Sequence, residues 1–333
     1  MKTKKIRFAN TGFAGIAIIL VTLLYSCKAG AGNENVLSAD PASIILSLKS
    51  GNDVVLENKT IRGDLDLTQS GEAVLQHEGL KFVFIIGSLS FRNCEFLGRV
   101  ITSKTNDSGQ VTACDFQKNF SFVNCIFQNE VQLRASAIDG ICNFQGSSFL
   151  KGISMEELNV GKTTYFTKAV FRGETNMQNC VFSQKADFFE TSFEENVSFQ
   201  GTNFLLETSF NVAKFYKYAD FSVCTFHHNS FFNYIVSTGK MVFNTCSFKG
   251  RLDCIGSEFV SLDMTNCFLL TVPKFNKTTI KDTINFSGAQ FVSGCPDLTE
   301  SGFKKEQILA SKVSVASKLL TSEDFLKYTF QGQ

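Results

Sequence analysis

Phenylalanine recurs through the middle of this sequence at alternating intervals of six and five residues. The most regular stretch runs from 192 to 226 and contains seven of them. They are Phe193, Phe199, Phe204, Phe210, Phe215, Phe221 and Phe226. A fixed interval between identical large side chains indicates a repeat architecture, in which each unit packs mainly on its neighbours.

Two columns with a period of 11 residues extend this pattern over 122–259. Phe occupies 19 of their 26 positions, whereas 36 Phe in 333 residues would place about three there by chance. A third column, two residues before the second, is Ala, Cys, Ser or Thr at 11 of 13 positions. We therefore expect the rings and the small residues to point inward together. The predicted core rings are Phe122, Phe127, Phe144, Phe149, Phe166, Phe171, Phe182, Phe188, Phe193, Phe199, Phe204, Phe210, Phe215, Phe221, Phe226, Phe243 and Phe248.

Neither a helix nor one long strand collects these rings on a single side. Five residues advance a helix by about 140°, which places the two columns on different faces. In a strand, an interval of five changes the face and an interval of six keeps it. The chain must therefore bend between Phe residues, in short extended pieces that pair in parallel with the next coil about 4.8 Å away.

The substitutions within the columns predict the length of one coil. Leu133, Met155 and Met177 fall on alternate members of the first column, and three cysteines of the small column also fall on alternate members. Stacked neighbours should resemble each other, so we expect one coil to span two members of each column, about 22 residues. Residues 111–259 would then form about seven coils, a rod of roughly 33 Å.

The segments "FSVCTF", "FNTCSF", "FSGAQF" and "FVNCIF" resemble pentapeptide-repeat proteins, in the variant where hexads alternate with pentads. The resemblance implies an all-β fold, a right-handed, four-sided parallel β-helix, and says little about activity. We expect this solenoid over 61–292. Residues 97–113 and 262–283 depart from the repeat, which predicts loops or bulged coils at 102–110 and 271–279.

Both ends of a solenoid need a cap, because an open end exposes its hydrophobic core and an unpaired strand edge. Residues 40–60 predict a helical cap and a first strand, with Asp40 as N-cap, Pro41 as the first helical residue and Gly51 as the stop. The helix should bury Ile44, Ile45 and Leu48. Residues 293–333 predict a helical C-terminal cap, with a second short helix after residue 322. One side of its first helix would carry Phe303, Ile308, Val315, Leu319 and Leu320.

The N-terminus predicts export. Four basic residues precede a short apolar core, and Ser26–Cys27 resembles the lipobox of bacterial lipoproteins. We expect a signal peptide at 1–26, acylation of Cys27 and a lipidated tether at 27–39. An uncleaved anchor and an ordinary signal peptide cut elsewhere are the alternatives. Removal of 1–26 takes away four of 32 basic residues and none of the 31 acidic ones, so the mature charge is −3. A protein surface with this small negative charge does not favour binding to nucleic acid.

The cysteines, histidines and aspartates of the sequence show no catalytic or metal-binding pattern. Seven of the 11 cysteines lie two residues before an inward Phe, and most cysteines should be buried thiols, with Cys267 and Cys295 as the expected exceptions, whose pairing the sequence leaves open. No Cys-x-x-Cys pair is present, and His77, His227 and His228 are expected at the surface. Asp115, Asp187, Asp220 and Asp253 each precede an inward position, so they should face solvent and accept hydrogen bonds from turn amides.

These observations favour a non-catalytic, lipid-anchored protein of the bacterial cell envelope, with no cofactor or metal, whose regular polar rows bind a protein or a glycan. A polysaccharide-degrading β-helix enzyme is the first alternative, and clustered carboxylates and basic residues on one face would favour it. A mimic of DNA, a role that the resemblance suggests, is less favoured because the predicted mature charge is small and the protein is expected to be exported.

Overall fold

The structure, a computed structural model, describes residues 38–77 and 79–330. The predicted signal peptide, Cys27 and nearly all of the tether lie outside these residues. Within them, the chain forms a parallel β-solenoid with four strand positions in each regular coil, and the predicted all-β fold is confirmed. We number the four sides of one coil as faces 1 to 4 in chain order.

Faces 1 and 2 are each built from short strands that pair in parallel with the equivalent strands of neighbouring coils. The strands of face 1 are Val54–Glu57, Leu89–Arg92, Phe120–Val123, Cys142–Asn143, Thr164–Tyr165, Ala186–Asp187, Thr208–Ser209, Ser230–Phe231 and Leu252–Asp253. Face 2 contains Ser38–Ala39, Thr60–Ile61, Glu95–Phe96, Ile126–Phe127, Ser148–Phe149, Val170–Phe171, Ser192–Phe193, Lys214–Phe215 and Thr279–Ile280.

Faces 3 and 4 complete each coil in the same way. The strands of face 3 are Leu65–Asp66, Val100–Ile101, Val131–Gln132, Ile153–Ser154, Thr175–Asn176, Val197–Ser198, Ala219–Asp220, Ile284–Asn285 and Ile308–Leu309. Two longer strands, Val236–Val242 and Glu258–Asp263, run through faces 2 and 3 together. Face 4 contains Leu80–Ile85, Val111–Phe116, Ala137–Ile138, Asn159–Val160, Val181–Phe182, Asn203–Phe204, Thr225–Phe226, Ser247–Phe248, Phe268–Leu269, Gln290–Phe291 and Val313–Val315.

The predicted coil length is confirmed by the pairing register. On face 1, Cys142 pairs with Thr164, which belongs to the same ladder as Ala186, and on face 2 Phe149 pairs with Phe171. The two partners of each pair are one predicted coil apart in the chain. Two isolated bridges, Asp253 to Lys274 and Lys274 to Asp297, continue face 1 beyond its last strand. The ladder thus has eleven levels, which at about 4.8 Å each gives a rod of roughly 48 Å.

Phenylalanine rings fill much of the interior, where most of them stack on the ring of the next coil. The Phe188 and Phe210 centroids are 4.5 Å apart and nearly parallel, at 5°. Phe210, after the face 1 strand, and Phe221, after the face 3 strand, meet across the core edge to face at 5.3 Å and 90°. Both geometries are favourable for aromatic pairs and add to the free energy of burial. Between Phe91 and Phe248 the core is therefore one continuous aromatic stack.

The side chains of the small column have a second role, which their small size alone does not predict. The Thr202 hydroxyl donates to the Met177 carbonyl of the previous coil at 2.6 Å, and the Ser147 hydroxyl donates to the Phe122 carbonyl at 2.7 Å. Ser147 also accepts from the Cys125 backbone N–H at 2.9 Å. These side chains satisfy buried backbone groups at the bends, where the ladder does not reach them.

The first two coils are longer than the regular ones because each contains an inserted hairpin. Val54 pairs with Leu89, and Leu89 pairs with Phe120, so both steps exceed the regular coil length. The first hairpin joins strand Ala73–His77 to the face 4 strand that follows it. The second hairpin joins Ser103–Thr105 to the next face 4 strand. The loop predicted at 102–110 is therefore the turn and first arm of a β-hairpin.

The second departure, near 262–283, is a deletion of one residue. Val236 pairs with Glu258 at the regular spacing, but Met241 pairs with Leu262, which is one residue short of that spacing. The corner between faces 2 and 3 is one residue shorter in the upper coil. The chain at 271–279 stays in the solenoid, with Phe275 fully buried and Lys274 bridged to Asp253 and Asp297, so of the predicted loop or bulged coil the loop is wrong. A lost residue shifts the repeat without breaking the fold.

The N-terminal cap forms as predicted. Helix α1, Pro41–Lys49, has Asp40 as its N-cap, whose Oδ1 accepts from the Ala42 N–H at 3.1 Å. Ile44 and Leu48 are buried, Ile45 is half-buried, and Gly51 has a φ of +75°. The solenoid begins earlier than the predicted residue 61, because Ser38–Ala39 and Val54–Glu57 already pair with later coils.

The helix predicted at the start of the C-terminal cap is wrong. Residues 293–320 continue the solenoid beyond the predicted boundary at 292, with strands Ile308–Leu309 and Val313–Val315 paired to the last coil. Lys318–Leu320 then folds back in antiparallel pairing. The strand edge of the last coil offers unpaired backbone groups to this segment. Hydrogen bonds to that edge outweigh the segment's weak preference for a helix. The short helix after residue 322 is present as α2, Ser322–Phe330. Two 3-10 turns, Leu67–Gln69 and Lys305–Gln307, complete the elements.

Candidate ligand-binding groove on face 3

A groove of about 540 Å³ runs along face 3 across successive coils. On its floor, each coil contributes the outward residue of its face 3 strand, which precedes an inward core residue. These residues are Gln132, Ser154, Asn176, Ser198 and Asp220. The pairing places them one above another at about 4.8 Å intervals. The groove therefore presents a regular row of hydroxyl, amide and carboxylate groups.

The floor residues are held in place by their own backbone. Asn176 Oδ1 accepts from the Gln178 N–H at 3.0 Å, and Asp220 Oδ1 accepts from the Ser222 N–H at 2.8 Å. Gln178 Nε2 in turn donates to the Ser198 hydroxyl at 3.0 Å. Side chains fixed in this way lose little conformational entropy when a ligand binds.

One wall of the groove carries carboxylates and an aromatic ring. Glu130, Gly152, Glu174, Asn196 and Tyr218 stand at the corner between faces 2 and 3 in successive coils. Tyr218 is 42% exposed, and burial, followed by the charges of Asp220 and Asp263, raises the pKa of its phenol. The phenol therefore stays neutral, and its ring is a platform on which a ligand can stack.

A second pocket, of about 430 Å³, adjoins the N-terminal end of this groove and shares Gln132 and Ser154 with it. Its character differs, because its lining contains three basic side chains and no carboxylate. The residues that complete it are Arg99, Ile101, Ser103, Lys104, Thr105 and Arg134. The second hairpin supplies three of them. The whole surface thus changes from basic to acidic along face 3.

Acidic residues of neighbouring coils hold these basic side chains. Arg99 pairs with Asp64 at 2.7 Å, and Arg134 Nε lies 3.3 Å from Glu156. Lys104 pairs with Asp66, which is only 5% exposed. Burial opposes ionisation of Asp66, but hydrogen bonds from Lys104 and its neighbours outweigh it and lower the pKa. Asp66 therefore stays charged and fixes the position of Lys104.

The residues singled out from the sequence lie apart from this groove. The predicted core rings are at most 1% exposed and line the interior. Cys27 lies outside the described residues. Of the four aspartates, Asp187 on face 1 and Asp220 on face 3 accept turn N–H groups as expected.

The expectation for the other two aspartates is wrong. Asp253 is 5% exposed and pairs with Arg251 at 2.9 Å, and Oδ1 of Asp115 is buried without a hydrogen-bond partner. Burial raises the pKa of both carboxyl groups. Neighbouring coils cover these positions, which the spacing of single aspartates does not reveal.

The cysteines are free thiols within the described chain. Cys267 is fully buried in the small column and donates to the Phe243 carbonyl at 2.8 Å, so its expected exceptional position is wrong. Cys295 is half-buried beside the C-terminal cap. Burial raises the pKa of Cys246 and Cys267 far above its ordinary value, which keeps these thiols protonated.

Histidines do not assemble a site. His227 and His228 are both exposed, as is His77. Over residues 38–77 and 79–330, no three His, Cys, Asp or Glu side chains are grouped so that they could hold a metal ion. No helix in the same residues is long and apolar enough to cross a bilayer.

Sequence reasoning missed the groove, although its residues carry a signal. The position before each inward residue is often polar, but every face of the coil has such a position. Only the observed corners show that Gln132, Asn176 and Asp220 line a concave side. The basic pocket depends on a hairpin whose place beside face 3 no repeat spacing indicates.

Comparison with known families gives one match. The family model for pentapeptide repeats (9 copies) matches residues 166–210, in the most regular part of the solenoid. Neither the comparison with curated proteins nor that with solved structures found a match.

Proposed function

Because this chain is a pentapeptide-repeat β-solenoid protein, we propose that it is a non-catalytic scaffold whose face 3 groove binds a glycan chain. The observation that carries this proposal is the ordered polar row of the groove beside the exposed ring of Tyr218. Glycans are bound by polar groups that hydrogen-bond their hydroxyls together with an aromatic ring that covers their apolar face.

A glycan suits the groove better than a protein surface does. The centre of a protein–protein interface is usually depleted in charged residues and rich in apolar and aromatic ones. Here the floor is hydroxyl, amide and carboxylate, and the wall adds Glu130 and Glu174. A straight chain of sugars would also meet a similar set of groups at each coil, because the groove repeats along the rod.

Two matched tyrosine variants test the proposal. Tyr218→Ala removes the ring in the groove, whereas Tyr216→Ala removes one that is equally exposed, at 44%, but outside the groove. In titrations against a panel of soluble oligosaccharides, we expect Tyr218→Ala to weaken binding by up to about tenfold. Tyr216→Ala should bind like the unaltered protein. Equal behaviour of both variants, or no glycan bound, would contradict the proposal.

A polysaccharide-cleaving enzyme is the second candidate, and one specific observation favours it. Face 3 brings together Glu130, Glu174 and Asp220, with basic residues at one end. Carboxylates and basic residues clustered on one face are what a polysaccharide-cleaving β-helix enzyme would need. Glu130 and Glu174 are two coils apart, about 9–10 Å at the backbone, near the upper limit for a carboxyl pair that cleaves glycosidic bonds. Release of reducing sugars from a bound glycan, abolished by Glu174→Gln, would establish this candidate in place of binding alone.

We further propose that acylated Cys27 attaches the solenoid to the membrane of a bacterial cell envelope. The support is the basic start, the short apolar core and the Ser26–Cys27 pair in the sequence. Mass spectrometry of the protein from membranes should show acyl chains on Cys27 as the first residue. Cleavage elsewhere, or an unmodified thiol at Cys27, would contradict this attachment.

A further inference from the structure

The pocket at the N-terminal end of the groove has a composition that the rest of the groove lacks. Every polar side chain that lines it can donate a hydrogen bond, and three of them are basic. A lining of this kind is complementary to an anion with several acceptor oxygens. The adjoining groove, in contrast, is lined by three carboxylates and no basic residue.

The basic groups keep donors for a ligand although each has an acidic partner. Arg99 Nε and one terminal nitrogen bond to Asp64, and Lys104 bonds to Asp66. A guanidinium has five N–H donors and an ammonium three, so these pairs do not exhaust them. The side chains are 48% and 51% exposed, which leaves their outer donors accessible.

The pocket exists because the repeat is interrupted. Ser103, Lys104 and Thr105 belong to the arm of the second hairpin, which lengthens its coil beyond the regular one. An insertion beside a regular surface is a common place for specificity, because loops vary while the scaffold holds them in position. Buried Asp66 anchors this arm through Lys104.

We propose that this pocket is an anion subsite, which receives the carboxylate or sulfate group of an acidic glycan whose following sugars lie in the face 3 groove. This inference rests on the proposed glycan binding and adds the chemical class of the ligand. Gln132 and Ser154 line both cavities and would contact the sugars where the two meet. Asp64, Asp66 and Glu156 balance much of the local positive charge, so recognition relies on directed hydrogen bonds more than on long-range attraction.

The first test changes only the charge of the ligand. Calorimetric titrations would compare a galacturonic acid hexamer with its fully methyl-esterified form, and a sulfated galactan hexasaccharide, which has no uronic acid, with its desulfated form. We expect at least one acidic form to bind about tenfold more tightly than its neutral counterpart. If neither acidic probe binds more tightly, the inference is overturned. Binding of the neutral forms with loss in Tyr218→Ala would still support the proposed function.

The second test changes only the charge of the protein. Arg134→Gln removes one basic group of the pocket, and Arg172→Gln removes one that pairs with Glu194 outside both cavities. Arg134→Gln should reduce the preference for the acidic form, and Arg172→Gln should preserve it. An unchanged preference in Arg134→Gln, with unchanged unfolding in both variants, would overturn the assignment of the anion to this pocket.

Discussion

The regular coils between 142 and 235 and the first two coils, residues 54–119, all bury an apolar core but differ in the surface outside it. In the regular coils each side has two paired residues, and every level repeats the one below. The second coil buries the rings of Phe91, Phe96 and Phe116, the first buries aliphatic side chains such as Ile61 and Leu65, and each carries a hairpin on the outside. Aromatic stacking therefore tolerates insertions at corners, provided that the chain returns in register.

Because of this difference, the regular coils contribute mainly to stability and the first coils mainly to recognition. The regular coils spread their burial over many equivalent rings, so no single coil has a distinct surface. The first coils expose Val74, Leu75 and Phe84 on their hairpins and form the basic pocket that ends the groove. The part of the chain that departs most from the repeat is thus the part with the most specific surface.

The largest expected effect is the loss of a central ring. Phe210→Ala removes a fully buried side chain that stacks between Phe188 and Phe232, and should reduce the free energy of unfolding by about 3–5 kcal/mol. Phe84→Ala, in the first hairpin and 38% exposed, should cost about 1 kcal/mol. Denaturant unfolding measures both. Equal losses would mean that the hairpins are as much a part of the core as the regular coils.

An intermediate effect is expected in the small column. Thr202→Val keeps the shape but deletes the hydroxyl that donates to the Met177 carbonyl and accepts from the Cys180 N–H. Two buried backbone groups lose a partner, which should cost about 1–3 kcal/mol. Ala213, in the same column without a hydroxyl, provides the control through Ala213→Ser, which should cost less. A neutral Thr202→Val would show that size alone determines this column.

A stabilising change is expected where the regular coils are strained. Val223 is 53% exposed and has a φ of +62°, a conformation that disfavours a β-branched residue. Asn179, two coils earlier in the same column, has a φ of +55° and a side chain suited to it. Val223→Asn should therefore raise the free energy of unfolding by about 1 kcal/mol. Asn179→Val should lower it by a similar amount, and the same sign in both would contradict this reason.

The smallest expected effect is the pH dependence of the first coils. The pKa of Asp66 is below its ordinary value of 3.8, so its charged form stabilises the fold above that pH. This contribution is lost as the pH falls through the lowered pKa. Asp66→Asn should thus be less stable near neutral pH, with the difference from the unaltered protein shrinking at acid pH.

Asp115 should show the opposite sign. Burial, followed by the charge of Asp139, raises its pKa, so its charged form destabilises the fold above that pKa. Asp115→Asn should be slightly more stable at neutral pH. Thermal unfolding at a series of pH values separates the two aspartates. An Asp66→Asn variant that matches the unaltered protein at all pH values would remove the electrostatic role given to this pair.

The predictable part of the fold and of the site can be traced to particular residues. Asp40 and Pro41 start α1 because capping is a local interaction between residues close in the chain. The apolar spacing at 308–315 fits a helix, yet the segment forms strands, because its pairing partners lie a full coil earlier in the chain. The prediction for Cys267 is wrong because a deleted residue at the preceding corner shifts it out of the counted column.

The sequence by itself determined the aromatic core, the coil length and the inward position of each ring, because a strict period leaves only one way to bury so many large side chains. Only the tertiary structure decided which of four similar sides is concave, and where two inserted hairpins lie against it. A binding surface is made by side chains from different coils, and their distances depend on how corners and insertions pack, which no interval along the chain specifies.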